Sequence, residues 1–130
     1  MNFDRQYLVW SLSFAALGMG LGIYMAASDN HAELATHAHI LLIGFVVSFI
    51  YGMIHKLWLT RPNRALATLQ FILHQAAAIT IAVGLFLLYG AFVPHEKLEP
   101  ILASAAIAVL LAMLLMLYMV IRSGSAKARA

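Results

Sequence analysis

Four apolar runs, each long enough to cross a bilayer and separated by short polar connections, constrain this chain more than any other feature. About 20 consecutive apolar residues carry a helix through the hydrocarbon core. The runs Tyr7–Ala27, Leu34–Leu57, Leu66–Phe92 and Ile101–Ile121 all meet that length. Backbone N–H and C=O groups find no water inside a bilayer, so runs of this kind fold as helices. The expected fold class is therefore all-α, an integral membrane four-helix bundle with residues 1–130 as a single domain. With 64% hydrophobic and 10% charged residues, the chain lies far from the soluble average of about half apolar and a quarter charged. The first run lacks a small-residue cleavage site, so it reads as a span rather than a signal peptide.

The connections set the expected topology. Arg5, Lys56, Arg61, Arg64, Arg122, Lys127 and Arg129 fall at the N-terminus, in the second connection and at the C-terminus. The first and third connections carry Asp29, Glu33, Glu96 and Glu99 against the single basic Lys97. Basic residues stay on the cytoplasmic side, which predicts both termini in the cytoplasm and two acidic loops outside. The net charge of +3 thus reports orientation in the lipid bilayer, not affinity for nucleic acid. Cysteine is absent, which excludes disulfides, iron–sulfur clusters and thiolate ligands.

Histidine is where chemistry enters. An ionisable side chain at membrane depth is costly and marks a functional site by default, and imidazole is a common ligand for iron, copper and zinc. Of the six histidines, His31 and His95 lie in the outer loops, beside acidic residues but without a ligand spacing. His55 falls at the inner end of the second span, next to Lys56. His37 and His39 lie in the first turns of that span, and His74 lies well inside the third. On an α-helix, positions two apart point about 200° from each other, so His37 and His39 do not share one ion from a regular helix. His37 falls on a small and polar stripe with Leu41, Gly44, Ser48, Tyr51 and His55. His39 aligns with Ile43, Val46, Ile50 and Met53, an apolar face suited to a porphyrin wall or to lipid.

Gly18 and Gly22 form a GxxxG face that permits close helix contact, and Gly44 and Gly52 share a face in the second span. A glycine such as Gly44 beside these histidines leaves room for a flat macrocycle, although tight helix packing is the commoner explanation. Met113, Met116 and Met119 read as packing or lipid-facing residues. His39 and His74 are the axial candidates for a haem, with His37 as the alternative ligand or a hydrogen-bonding partner. At 1.5 Å per residue, His39 and His74 differ in depth by roughly 5–10 Å. A tilted haem or pairing across an oligomer interface would absorb that offset. The third span offers only His74, which favours one haem over two.

The run from His37 to Gly52, HAHILLIGFVVSFIYG, resembles the helix of haem–copper oxidase and nitric oxide reductase catalytic subunits that carries a low-spin haem ligand. It looks more closely like small four-span bacterial membrane proteins distantly related to those subunits. The resemblance implies a multi-pass protein of the bacterial inner membrane with His39 as a ligand to b-type haem (protohaem IX). The chain departs from a full oxidase in having four spans and no copper-binding histidine cluster, so the resemblance does not imply oxygen reduction or proton pumping. It favours a membrane cytochrome over an enzyme.

Three functional readings stay open at this point. The first is a homo-oligomeric haem protein, most simply a dimer, serving electron transfer with a respiratory partner, gas binding or haem handling. The second is a membrane site for copper, iron or zinc built from His37, His39 and His74. The third is a non-catalytic accessory subunit whose histidines bridge helices.

Overall fold

The computed structural model describes residues 2–128, and all of its regular structure is helical. Arg129, counted above with the basic C-terminus, lies outside the described residues, as does the side chain of Lys127. Four helices follow in order: α1 (Phe3–Ser28), α2 (Leu34–Leu57), α3 (Arg64–Tyr89) and α4 (His95–Ala128). Each is long and apolar enough to span a membrane. Large apolar side chains such as Leu17, Ile23, Ile72, Ile107 and Leu117 stay exposed around the bundle, as expected of a surface solvated by lipid tails rather than water.

The ends of α2 match the apolar run, whereas the other helices overrun or shift from theirs. The largest difference is at α4, which begins at His95 and continues through Pro100. A proline inside a helix removes one intrahelical donor, which is why sequence alone starts that span at Ile101. Asn63 closes the start of α3, its side-chain oxygen accepting from the N–H groups of Ala65 (3.0 Å) and Leu66 (3.2 Å). That cap satisfies two of the four donors left open at a helix N-terminus.

α1 and α2 pack antiparallel in a steady register set by glycines. A Cβ on Gly18 would lie 2.5 Å from Leu41, one on Gly22 would lie 2.9 Å from His37, and one on Gly44 would lie 2.5 Å from the Phe14 ring. Gly52 closes the row against Tyr7 and the Asp4 backbone, both at 3.2 Å. The GxxxG reading therefore holds, and Gly44 is a packing glycine filled by Phe14. The α3–α4 pair is built differently. Leu98, Ala105, Ala112 and Met119 are buried at steps of seven, with Met116 between them, the repeat that keeps one helix face on its partner. Met116 and Met119 are packing residues, while Met113 is partly exposed.

The middle of α2 departs from α-helical geometry, with Ile40–Val47 π-helical. In an α-helix Thr36 and Ser48 would sit about 120° apart. With the wider turns between them, both face the interior, each 0% exposed. The stripe Gly44, Ser48, Tyr51 and His55 expected from sequence is buried, with His37 and Leu41 half-buried above it.

Candidate functional site: three intramembrane histidines

His37, His39 and His74 are held in three different ways. His39 is exposed on the outer part of α2, and its Nδ1 lies 2.8 Å from the carbonyl of Ala35, one turn back. A carbonyl only accepts, so Nδ1 carries the proton and the Nε2 lone pair is left bare. Further along α2, Leu42, Val46, Phe49, Ile50 and Met53 are exposed apolar residues. The π-helical stretch Ile40–Val47 begins directly after His39, and its wider turns shift the α-helical alignment of His39 with Val46, Ile50 and Met53 read from sequence.

His37 turns toward α1. Its Nδ1 donates to the Gly18 carbonyl at 2.7 Å, and its ring rests where Gly22 has no side chain. The GxxxG pair thus exposes a backbone oxygen to an imidazole as well as allowing close approach. Here too Nε2 is the uncommitted nitrogen.

His74 is 0% exposed. Its Nε2 lies 3.1 Å from Ser48 Oγ and 3.2 Å from the Ile43 carbonyl. The carbonyl requires a proton on Nε2, so Nδ1 holds the lone pair, and that atom has no hydrogen-bond partner among the described residues. Ile43 belongs to the π-helical stretch, and wide turns of this kind free carbonyls from the regular ladder and recur at functional sites. Gln75 donates to Ser48 Oγ at 3.2 Å, and the Tyr51 ring meets the imidazole edge-on at 4.9 Å between centroids. Tyr7 donates to Gln70, whose amide donates to the Ala112 carbonyl at 3.3 Å. A layer of polar side chains thus crosses the bundle and ties the two hairpins together. Gln70, one helical turn before His74, and Ser48, on the polar stripe of α2, are marked by spacing in the sequence, whereas Gln75, adjacent to His74, is not.

Among the described residues no hydrogen bond or ring contact joins His39 to His74. One is exposed and the other buried, and the α2 groups that bond His74, the Ile43 carbonyl and the Ser48 hydroxyl, lie four and nine residues beyond His39 along the helix. The depth offset read from sequence therefore persists. Phe14 fills the space beside Gly44, and Tyr51, Ser48 and Gln75 enclose His74. Both axial nitrogens on one iron inside a single chain do not fit this packing. His39, by contrast, is exposed, with Nδ1 tethered to its own helix and Nε2 without a hydrogen-bond partner among the described residues.

The outer loops yield no donor set. His31 is exposed, and His95 pairs only with Glu99, at 3.8 Å with both side chains largely exposed. Glu33, expected in solvent, is buried at the start of α2 and accepts from Thr36 Oγ1 at 2.5 Å. Among the described residues no group of three or more His, Asp or Glu side chains converges to hold a metal ion.

No protein-family model matches this chain, and comparisons with curated proteins and with solved structures find no match.

Proposed function

We propose that this protein is a b-type cytochrome of the bacterial inner membrane, with both termini cytoplasmic, that carries electrons within respiration. The observation that supports it most is the state of His39, with Nδ1–H tied to Ala35 and Nε2 free on an exposed apolar helix face. A hydrogen bond from the second ring nitrogen fixes the tautomer and the ring plane and raises ligand basicity, as histidines that bind metals generally require. Haem b, when bound, supplies one-electron chemistry at its iron.

The chain's own contribution is threefold. His39 Nε2 is the ligand atom, presented without a competing hydrogen bond. Val46, Phe49, Ile50 and Met53 supply exposed apolar surface further along the same helix. A second copy, joined through this face, supplies a second His39 and covers the surface from lipid, which makes the working form a homodimer. Histidine on both sides of an iron favours electron transfer over gas binding. His37 and His74 act as helix-to-helix fasteners in this reading, one on α1 and one on the π-helical turn.

An absorption spectrum of the detergent-purified protein, oxidised and then reduced, tests it. A Soret band with split α and β bands, one haem per two chains, and loss of both in His39→Ala are expected. Absence of any Soret band after haem is supplied during expression sinks the proposal. Retention of full haem by His39→Ala removes His39 as the ligand.

A further inference from the structure

At the end of the bundle opposite His39, the connection between α2 and α3 and the last turns of α4 enclose a hollow of about 690 Å³. Its floor is apolar, formed by Leu59, Leu66 and Met119, of which Leu59 and Met119 are buried. Its rim carries two guanidinium groups, Arg61 and Arg122, between Trp58 and Tyr118. Tryptophan and tyrosine collect at headgroup depth, so the rim sits where a bilayer presents its phosphates.

Among the described residues no carboxylate lines the hollow, and the two ion pairs are Lys56–Asp4 and His95–Glu99, neither of which uses these arginines. The Arg122 guanidinium lies over the Tyr118 ring, 6.0 Å from its centroid, a contact that holds the cation at the rim. Asn63 also lines the hollow and uses its side-chain oxygen on the α3 cap, so the group it has left is an NH2 donor. The neighbouring hollow of about 700 Å³ makes the contrast. It is lined by Lys56 and Arg64 but also by Asp4, which takes Lys56 at 3.7 Å.

We propose that the Arg61–Arg122 hollow binds the phosphate headgroup of an anionic membrane lipid. Arginine matches phosphate oxygens with paired donors, and basic pockets between membrane helices select anionic headgroups. Arg61, Arg122 and the Asn63 amide hold the phosphate, while Leu59, Leu66 and Met119 take the glycerol and the first acyl carbons. The site is independent of the haem reading, because it lies at the other end of the bundle and uses none of the three histidines.

The full-length chain carries its own reporter. Trp58 lines the hollow, and Trp10 is the other of the two tryptophans, so Trp10→Phe leaves Trp58 alone. In phosphatidylcholine nanodiscs doped with phosphatidylglycerol brominated on its acyl chains, saturable quenching of Trp58 is expected at low mole fraction. Brominated phosphatidylcholine at the same fraction should quench far less. The double variant Arg61→Gln/Arg122→Gln should raise the half-saturating fraction roughly tenfold or more, Arg61→Lys/Arg122→Lys should recover part of that loss, and Lys56→Gln should leave it unchanged. Equal quenching by the two lipids, or quenching unchanged in a correctly folded double variant, overturns the proposal. Inorganic phosphate added in neutral detergent distinguishes the source. If it alone shifts Trp58 emission and blocks brominated phosphatidylglycerol in an arginine-dependent way, the site takes a soluble phosphate and the lipid assignment falls.

Discussion

The N-terminal part of α2 and the middle of the bundle each hold a histidine in apolar surroundings, and they use the ring in opposite ways. Around His39 the helix bonds its own residue, Nδ1 to the Ala35 carbonyl, and leaves Nε2 on the surface. Around His74 the partner helix does the bonding, through Ser48 and the Ile43 carbonyl, and Nδ1 is sealed inside. A histidine tethered within its own helix is available to something outside the chain. One tethered across helices has become part of the fold. The lesson is that depth and hydrophobicity do not separate a ligand from a fastener, whereas the location of the free nitrogen does.

The largest effect expected from that contrast is on haem. His39→Ala should lower the haem content of the purified protein by about tenfold or more while leaving the stability of the protein part within about 0.5 kcal/mol, as for exposed positions generally. His74→Ala should do the reverse. It should keep the Soret band and cost about 2–3 kcal/mol in unfolding from mixed micelles, combining a cavity with the Ile43 carbonyl left without its side-chain donor. If His74→Ala also abolishes haem at unchanged stability, the division between the two regions is wrong.

The packing between the regions comes next. Gly44 lies between the two histidines on α2, and an added Cβ would meet Phe14 Cγ and Cδ1 at 2.5 Å and Cβ at 2.9 Å. Those atoms are near the α1 backbone and do not swing aside, so Gly44→Ala should cost about 1–3 kcal/mol, partly recovered in Gly44→Ala with Phe14→Ala. Gly20 meets nothing within 4 Å, and Gly20→Ala should be neutral or stabilising by up to about 1 kcal/mol. Denaturant midpoints of the three variants, read at unchanged slope, decide it.

Most of this scaffold is legible in the sequence, and the reasons for the rest are physical. Run length and apolarity are properties of contiguous residues, so the four helices follow directly, and Gly18, Gly22, Gly44 and Gly52 mark the tight α1–α2 contact. The 200° separation of His37 and His39 also follows from spacing, and His37 is half-buried where His39 is exposed. The π-helical turn does not follow, because no local residue type demands it. It accompanies a tertiary bond, the one from His74 to the Ile43 carbonyl, and it turns Thr36 inward together with Ser48. Glu33 misleads for a similar reason. It reads as a solvated loop acid, yet Thr36 one turn ahead donates to it and both are buried. The start of α4 is misread at Pro100, where a helix already six residues long tolerates the missing donor.

A smaller test probes the polar layer next to His74. Tyr7 is 0% exposed and donates to Gln70 across the two hairpins. Interhelical hydrogen bonds in membrane proteins average about 0.6 kcal/mol and reach about 1.7. Tyr7→Phe keeps the ring contacts with Phe71 (4.8 Å) and Tyr51 (5.6 Å), so it should cost about 1 kcal/mol and leave haem content untouched. A loss above about 3 kcal/mol would mean that the layer is cooperative rather than a sum of pairs.

The smallest effect expected separates scaffold from site altogether. α1 and α3 both end in a left-handed residue, Asp29 at φ 50° and Ala91 at φ 57°. Asp29 closes α1 with its N–H on the Met25 carbonyl, and aspartate visits this region more readily than most side chains. Ala91 has no such relief. Its Cβ crowds the following carbonyl, and the glycine that ordinarily takes this position stands one residue early, at Gly90, with an ordinary φ of −77°. Ala91→Gly should therefore stabilise by about 1 kcal/mol, the left-handed penalty less the added freedom of the unfolded chain. Asp29→Gly should change stability by only a few tenths of a kcal/mol. Because Ala91 lies in the α3–α4 connection and, among the described residues, no hydrogen bond joins it to His39 or His74, the gain in midpoint should come with an unchanged Soret band. A spectral change on a substitution in that connection would show that the surroundings of His39 depend on how α3 and α4 are joined, and that the N-terminal part of α2 is not the self-contained region its local hydrogen bond makes it.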